Sequence, residues 1–135
     1  MDCIIDLIIK KQAKAYIVFE DADFVAFLDH RPLFVGHTLL APKKHIKTLY
    51  DLPEALIQPF FTLTQKVGQA VEESMQAAGS FIAMNNTISQ SIPHLHVHIV
   101  PRNKGDGLKG FFWPRTHYRD EAHIIETQEK IRHAL

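Results

Sequence analysis

The stretch His94-Leu95-His96-Val97-His98-Ile99-Val100 alternates histidine with aliphatic residues without a break. A strand sends successive side chains to opposite faces. The spacing therefore predicts a strand over 94–100, with His94, His96 and His98 on one face and Leu95, Val97 and Ile99 on the other. The aliphatic face calls for a helical layer to cover it, and the histidine face for a cleft to line. Rings on one face of a strand stand about 7 Å apart, a spacing suited to an extended substrate rather than to one ion bonded to all three at about 2 Å. Three readings compete: a half-exposed strand, a zinc site using two of the rings, and nucleophilic catalysis. Histidine is an uncommon strand filler. Imidazole is nucleophilic near neutral pH, so the catalytic reading is preferred.

Working outward, 15–20 (AYIVFE) and 24–29 (FVAFLD) are β-branched and aromatic runs joined by Asp21-Ala22-Asp23, which reads as a hairpin. Residues 37–42 (HTLLAP) form a third strand and 80–85 (SFIAMN) a further one. Leu56, Phe60, Leu63, Val67, Val71 and Met75 lie on one face of a long helix, with Asp51 as its cap, Pro53 at its start and Gly79 at its end. Pro59 predicts a bend or a late start. Ile4–Ile9 reads as a short N-terminal helix. Residues 119–135 read as a C-terminal one with Ile124, Ile125 and Ile131 inward, and Gly105 to Arg115 as irregular structure. The expected class is α+β: two layers, a mainly antiparallel sheet, a long helix and short terminal helices, in a single domain over 1–135.

Basic and acidic residues balance at 15 each, which leaves no net field to draw a nucleic acid or a membrane surface. Apolar runs are too short to span a bilayer, no signal peptide is visible, and one cysteine, Cys3, fits a reducing compartment. A cytoplasmic protein is expected.

The blocks FVAFLD, GHTLLAPKKHI and SQSIPHLHVHIVPR, in that order, resemble those of the histidine triad (HIT) nucleotide hydrolases and transferases. The tail GDGLKGFFWPR is similar to that of a microbial branch acting on diadenosine polyphosphates. The resemblance implies that His96 is the nucleophile attacking an α-phosphorus and that His98 contacts the α-phosphate. It further implies that His94 orients His96 and that His37 is a fourth histidine close to the triad. Asp29 would accept bonds from ribose hydroxyls, and Asn85, Asn86, Gln90 and Ser91 would approach ribose, phosphate or leaving group. Phe24, Phe27 and Leu28 are candidates for the base slot. Arg102, Lys104, Lys109 and Arg115 are candidates for a polyphosphate tail, each otherwise a solvated surface residue. His117, His123 and His133 read as surface residues.

The implied activity is cleavage at the α-phosphate of purine nucleotide derivatives, such as dinucleoside polyphosphates, through a covalent nucleotidyl-histidine. A purine nucleoside phosphoramidase, a non-catalytic nucleotide-binding module and a metal-binding regulator are the alternatives. The implied assembly is a homodimer. No cofactor is required. Many relatives hold zinc with Cys-x-x-Cys and two histidines, whereas here the pair reads Cys3-Ile-Ile-Asp6. Cys3, Asp6, His45 and His94 would form a mixed site, and loss of zinc is the preferred expectation. The loop before the triad has Ser89 where relatives carry glycine, a costly exchange if the backbone there needs positive φ.

Overall fold

The structure is a computed structural model that describes residues 1–108 and 115–135. The chain forms two compact units, Met1–Lys104 and Gly105–Leu135.

The first unit holds α1 (Ile4–Ile9), β1 (Ile17–Glu20), β2 (Phe24–Leu28), β3 (Thr38–Pro42), α2 (Glu54–Ser74), β4 (Gly79–Ala83) and β5 (Val97–Arg102). The strands make one sheet in the order β1-β2-β3-β5-β4, every neighbouring pair antiparallel. The class is α+β, as the sequence implies. The β1–β2 turn forms because Asp21 Oδ1 accepts from the Asp23 and Phe24 amides at 2.8 and 2.7 Å, as an Asx turn requires.

Alternation then sorts the core into two layers. Phe24, Ala26, Leu40, Leu95, Val97 and Ile99 pack under α2 against Phe60, Leu63, Val67 and Val71. Val25, Phe27, Leu39 and Ala41 face the other way and are covered by Ile5 and Ile8 of α1. A sheet covered on both faces explains why β2 and β3 read as near-continuous apolar runs.

The long helix departs from expectation at both ends. Asp51 does not cap it. Its carboxylate accepts instead from the amide and hydroxyl of Thr48, closing a 3-10 turn over Leu49–Asp51. Helix α2 starts at Glu54 behind Pro53, so Pro59 lies inside it rather than before a late start. It ends at Ser74, and Gly79 opens β4 rather than closing the helix. Gly36, just before His37, has φ +99, and a Cβ there would come within 2.5 Å of Met75 Cγ; glycine is required.

The second unit carries α3 (Glu121–Ala134), N-capped by Asp120, which accepts from the His123 amide. Within this unit taken by itself, Ile124, Ile125 and Ile131 are exposed rather than inward. Lys109 and the FFWP segment of the tail lie outside the described residues. No helix among those described is long and apolar enough to cross a membrane.

Candidate active site

A cavity of about 600 Å³ opens on the α1 face of the sheet. Its lining combines apolar side chains (Ile4, Ile8, Phe27, Leu39 and Ile92) with polar ones (Asp29, His30, Arg31, Ser91, His96 and His98). Phe27 is therefore the one member of the proposed base slot that faces this space. Phe24 stacks on Phe60 beneath α2, and Leu28 lines a groove along α2, because residues one or three positions away on β2 point through the sheet.

The three histidines keep to the α1 side of the sheet, as the alternation predicts, while Leu95, Val97 and Ile99 pack under α2. Strand β5 begins at Val97, so only His98 belongs to the ladder, in register with Leu39 and Ala83. The lead-in is held otherwise: the Leu95 amide donates to the Ile46 carbonyl at 2.6 Å, and the His94 amide to the Ile92 carbonyl at 2.8 Å. Freed from strand geometry, the His96 and His98 rings lie 4.9 Å apart, closer than strand spacing predicts. His94 turns away from the cavity and is fully buried, its ring 4.8 Å from that of His45.

Each ring has one nitrogen committed. His96 Nδ1 donates to the His94 carbonyl at 2.7 Å, which leaves Nε2 as the lone pair. The His94 carbonyl thereby fixes the tautomer of the His96 ring. The Leu33 amide donates to His37 Nδ1 at 3.1 Å, so His37 carries its proton on Nε2 and donates to His98 Nδ1 at 3.0 Å. His98 then presents Nε2–H to the cavity. Asp29 Oδ2 stands 3.7 Å from His37 Nε2, while its Oδ1 accepts from the Arg31 amide at 2.9 Å.

Burial dominates the electrostatics. It lowers the pKa of His37 against the pull of Asp29, and it lowers that of His94 against the Pro42 carbonyl and Asp6. His98 falls to about 4 through burial first and the neighbouring His96 and His37 next. His98 is thus a neutral hydrogen-bond donor at pH 7, not a cation.

Behind the triad, one donor atom from each of Cys3, Asp6, His45 and His94 lies within 4.8 Å of the other three. Cys3 and Asp6 form the capping box of α1: the Asp6 amide donates to Cys3 Sγ and the Cys3 amide to Asp6 Oδ2. His45 Nδ1 donates to Asp6 Oδ2 at 2.9 Å. His94 donates from Nε2 to the Pro42 carbonyl at 2.7 Å, which turns the lone pair of Nδ1 toward Cys3 Sγ at 3.5 Å and Asp6 Oδ1 at 3.4 Å. Burial works to raise the pKa of Asp6, but the bonds from Cys3 and His45 outweigh it and hold the carboxyl at about 2. The four residues offer one sulfur, one carboxylate and two imidazoles, with the outer nitrogen of His94 fixed by a carbonyl. This donor set fits a zinc ion.

The HIT domain model matches residues 10–105, most of the first unit. The chain belongs to the HIT family. Protein hit of Bacillus subtilis is 36% identical over 122 residues, covering 88% of this chain and 83% of its own. An asymmetrical bis(5'-nucleosyl)-tetraphosphatase of Schizosaccharomyces pombe is 36% identical over 83 residues, covering 60% of this chain and 46% of its own. Among solved structures, a HIT family member from Bacillus subtilis superposes with a TM-score of 0.89 at 29% identity, covering 100% and 98% of the two chains. A zinc-bound histidine triad protein from Mycobacterium smegmatis does so with a TM-score of 0.75 at 31% identity, covering 100% and 99%.

In this HIT domain the loop before the triad is held by its own side chains. Gln90 donates from Nε2 to the Lys47 carbonyl at 2.6 Å and accepts from the Thr87 amide at 3.3 Å. Asn86 Oδ1 accepts from the Leu49 amide at 2.9 Å. Gln90, Asn85 and Asn86 are absent from the cavity lining; Ser91 is present in it. Ser89 has φ 60, so the conformation that favours glycine is kept without the glycine. Arg102 closes β5 opposite Gly79, Lys104 and Arg115 are exposed, and neither Arg102 nor Lys104 lines the cavity.

Sequence reasoning missed Ile4, Ile8 and Leu39 as cavity walls, and His30 and Arg31 beside Asp29. The available signal was the Cys3-x-x-Asp6 capping pattern, which fixes where α1 begins and which of its residues face inward.

Proposed function

We propose that this HIT protein is a nucleotidyl hydrolase or transferase acting at the α-phosphate of purine nucleotide derivatives, with dinucleoside polyphosphates as the substrate class. The observation that carries the reading is the state of His96: its Nδ1–H is spent on the His94 carbonyl, so the ring that lines the cavity keeps Nε2 as its lone pair. The Ile4, Ile8, Phe27 and Leu39 slot suits a base, and the Asp29 carboxylate suits ribose hydroxyls.

In the first step His96 Nε2 bonds to the α-phosphorus while the bond to the bridging oxygen breaks, and that electron pair leaves with the polyphosphate. His98 Nε2–H and Ser91 donate to phosphate oxygens as their charge grows, and a well-placed donor of this kind contributes roughly 3 kcal/mol. In the second step water attacks phosphorus, the Nε2–P bond breaks, a nucleoside monophosphate departs and the water's proton passes to solvent. His98 is neutral and receives its own hydrogen bond from His37, so the site holds a donor rather than a ready acid. A polyphosphate leaves as an anion and needs no proton. A phosphoramidate's amine does need one, and this favours the anhydride substrate, in keeping with the named activity of the fission-yeast relative.

Cys3, Asp6, His45 and His94 would hold a zinc ion with four protein donors and no open position, so bound zinc would supply a structural clip and not a reactive centre.

The test is to give the pure protein diadenosine tetraphosphate and an adenosine phosphoramidate and identify the products. Turnover of the tetraphosphate to AMP is expected, with a mass during turnover raised by one nucleotidyl group. His96→Ala should abolish turnover and keep AMP binding; activity retained in that variant would sink the mechanism.

A further inference from the structure

Helix α1 has six residues, too few to hold a helical conformation by themselves, so its position is set by what it is tied to. Its ties point in two directions. Ile5 and Ile8 pack on Val25, Phe27, Leu39 and Ala41, and Ile4 and Ile8 form a wall of the cavity. Cys3 and Asp6, in its first turn, reach back to His45 and His94. The same His94 gives its carbonyl to His96 Nδ1. The four-donor cluster therefore grips both the apolar wall of the cavity and the residue that orients the nucleophile.

With the His94 Nε2 proton directed to Pro42, the Nδ1 lone pair faces the Cys3 thiol at 3.5 Å and a carboxylate oxygen of Asp6 at 3.4 Å. A divalent ion would take the place of the thiol proton between these donors. The side chain of His45 is 40% exposed, so the cluster opens to solvent on one side and an ion has a way in and out. One thiolate and one carboxylate hold zinc less firmly than two thiolates, because the carboxylate is the harder and more exchangeable donor.

We propose that this cluster is a cation-operated latch on the nucleotide cavity: a divalent ion drawn between Cys3, Asp6, His45 and His94 fixes α1, and with it the Ile4 and Ile8 wall, and so tightens binding of the nucleoside end of the substrate. The latch rests on the reading of the cavity as a nucleotide site. It concerns affinity, and the ion takes no part in the bond-breaking steps.

The experiment uses full-length protein stripped with a chelator, then titrated with AMP by calorimetry with and without one equivalent of zinc. Backbone hydrogen exchange of α1 is followed in the same samples. Zinc should tighten AMP binding about fivefold or more, the lower range of ordinary coupling between two sites, and should slow exchange at Leu7 and Ile8. His45→Ala, a partly exposed ligand outside the cavity, should lose both responses; Asp6→Cys should make the zinc-loaded state resist the chelator. Zinc uptake that leaves AMP affinity and α1 exchange unchanged would overturn the latch, and so would absence of zinc uptake. If AMP binds in neither state, the nucleotide reading fails and the latch falls with it, whereas AMP binding that zinc leaves unchanged refutes the latch alone.

Discussion

Acid should destabilise this protein well above the range in which its carboxylates titrate, and His98 is the chief reason. Its pKa falls from an ordinary 6.5 to about 4 because the folded chain buries it beside His96 and His37. Above pH 6.5 the ring is neutral whether the chain is folded or not, and its titration contributes nothing. Between 6.5 and 4 the unfolded chain takes up a proton that the native site refuses, so stability falls as pH falls; below 4 the loss is complete. At 1.36 kcal/mol per unit the full effect is about 3 kcal/mol, of which about 2 kcal/mol is gone by pH 5. His37 and His94 shift in the same direction and add to the slope. His98→Gln removes the titration but keeps an acceptor for the His37 Nε2 proton. The assay is urea unfolding of both proteins at pH 7, 6, 5 and 4. The variant's stability should fall less than the wild type's by about 2 kcal/mol between pH 7 and 5. Equal slopes would show that the native site does not lower the pKa of His98, so that the ring could serve as an acid near neutrality, and the donor-only argument for anhydride substrates would go with it.

Two further outcomes follow from particular residues. Ser89→Gly should raise stability by about 0.5–1 kcal/mol, since relief of a left-handed serine at φ 60 exceeds the added freedom of glycine in the unfolded chain. Thermal melting would show this as a rise of about 2–4 °C, and a fall would mean that the serine side chain contributes more than its backbone costs. Phe60→Ala should cost about 3–5 kcal/mol in urea unfolding, because Phe60 is fully buried and stacks on Phe24 at 5.7 Å between ring centroids. A cost below 1 kcal/mol would mean that α2 and the sheet close over the gap.

How much of this was legible depended on whether the deciding partners were local. The β1–β2 hairpin was readable because Asp21 turns the chain through bonds to residues two and three positions on. The face of α2 was readable because its period is its own. The start of α2 was not, because Asp51 had a competing partner in Thr48 that completes a turn just upstream. Which of Phe24, Phe27 and Leu28 faces the cavity was not legible for want of a register origin: either face of β2 could serve until the docking of α1 showed that Val25 and Phe27 line its side. Nor does spacing alone convey that the triad enters its strand only at Val97. The carbonyls of Pro42 and Ile46, which hold His94 and the Leu95 amide, lie some fifty residues away in sequence.

That late strand start is what lets three like side chains take three chemical states. In an uninterrupted strand His94, His96 and His98 would meet similar surroundings and carry similar protons. Here each ring has one nitrogen claimed by a group whose polarity is fixed. A carbonyl takes the Nε2 proton of His94 and leaves a lone pair on Nδ1, toward Cys3 and Asp6. A carbonyl takes the Nδ1 proton of His96 and leaves a lone pair on Nε2, in the cavity. The Nε2–H of His37 fills the Nδ1 lone pair of His98 and leaves it a proton on Nε2. A lone pair toward Cys3 and Asp6, a lone pair in the cavity and a cavity-facing N–H thus arise from one residue type, and the differences come from two backbone carbonyls and the Leu33 amide behind His37, not from the triad itself. Because main-chain groups set these states, side-chain substitutions around the site should alter affinity and position before they alter which nitrogen of His96 keeps its lone pair in the cavity.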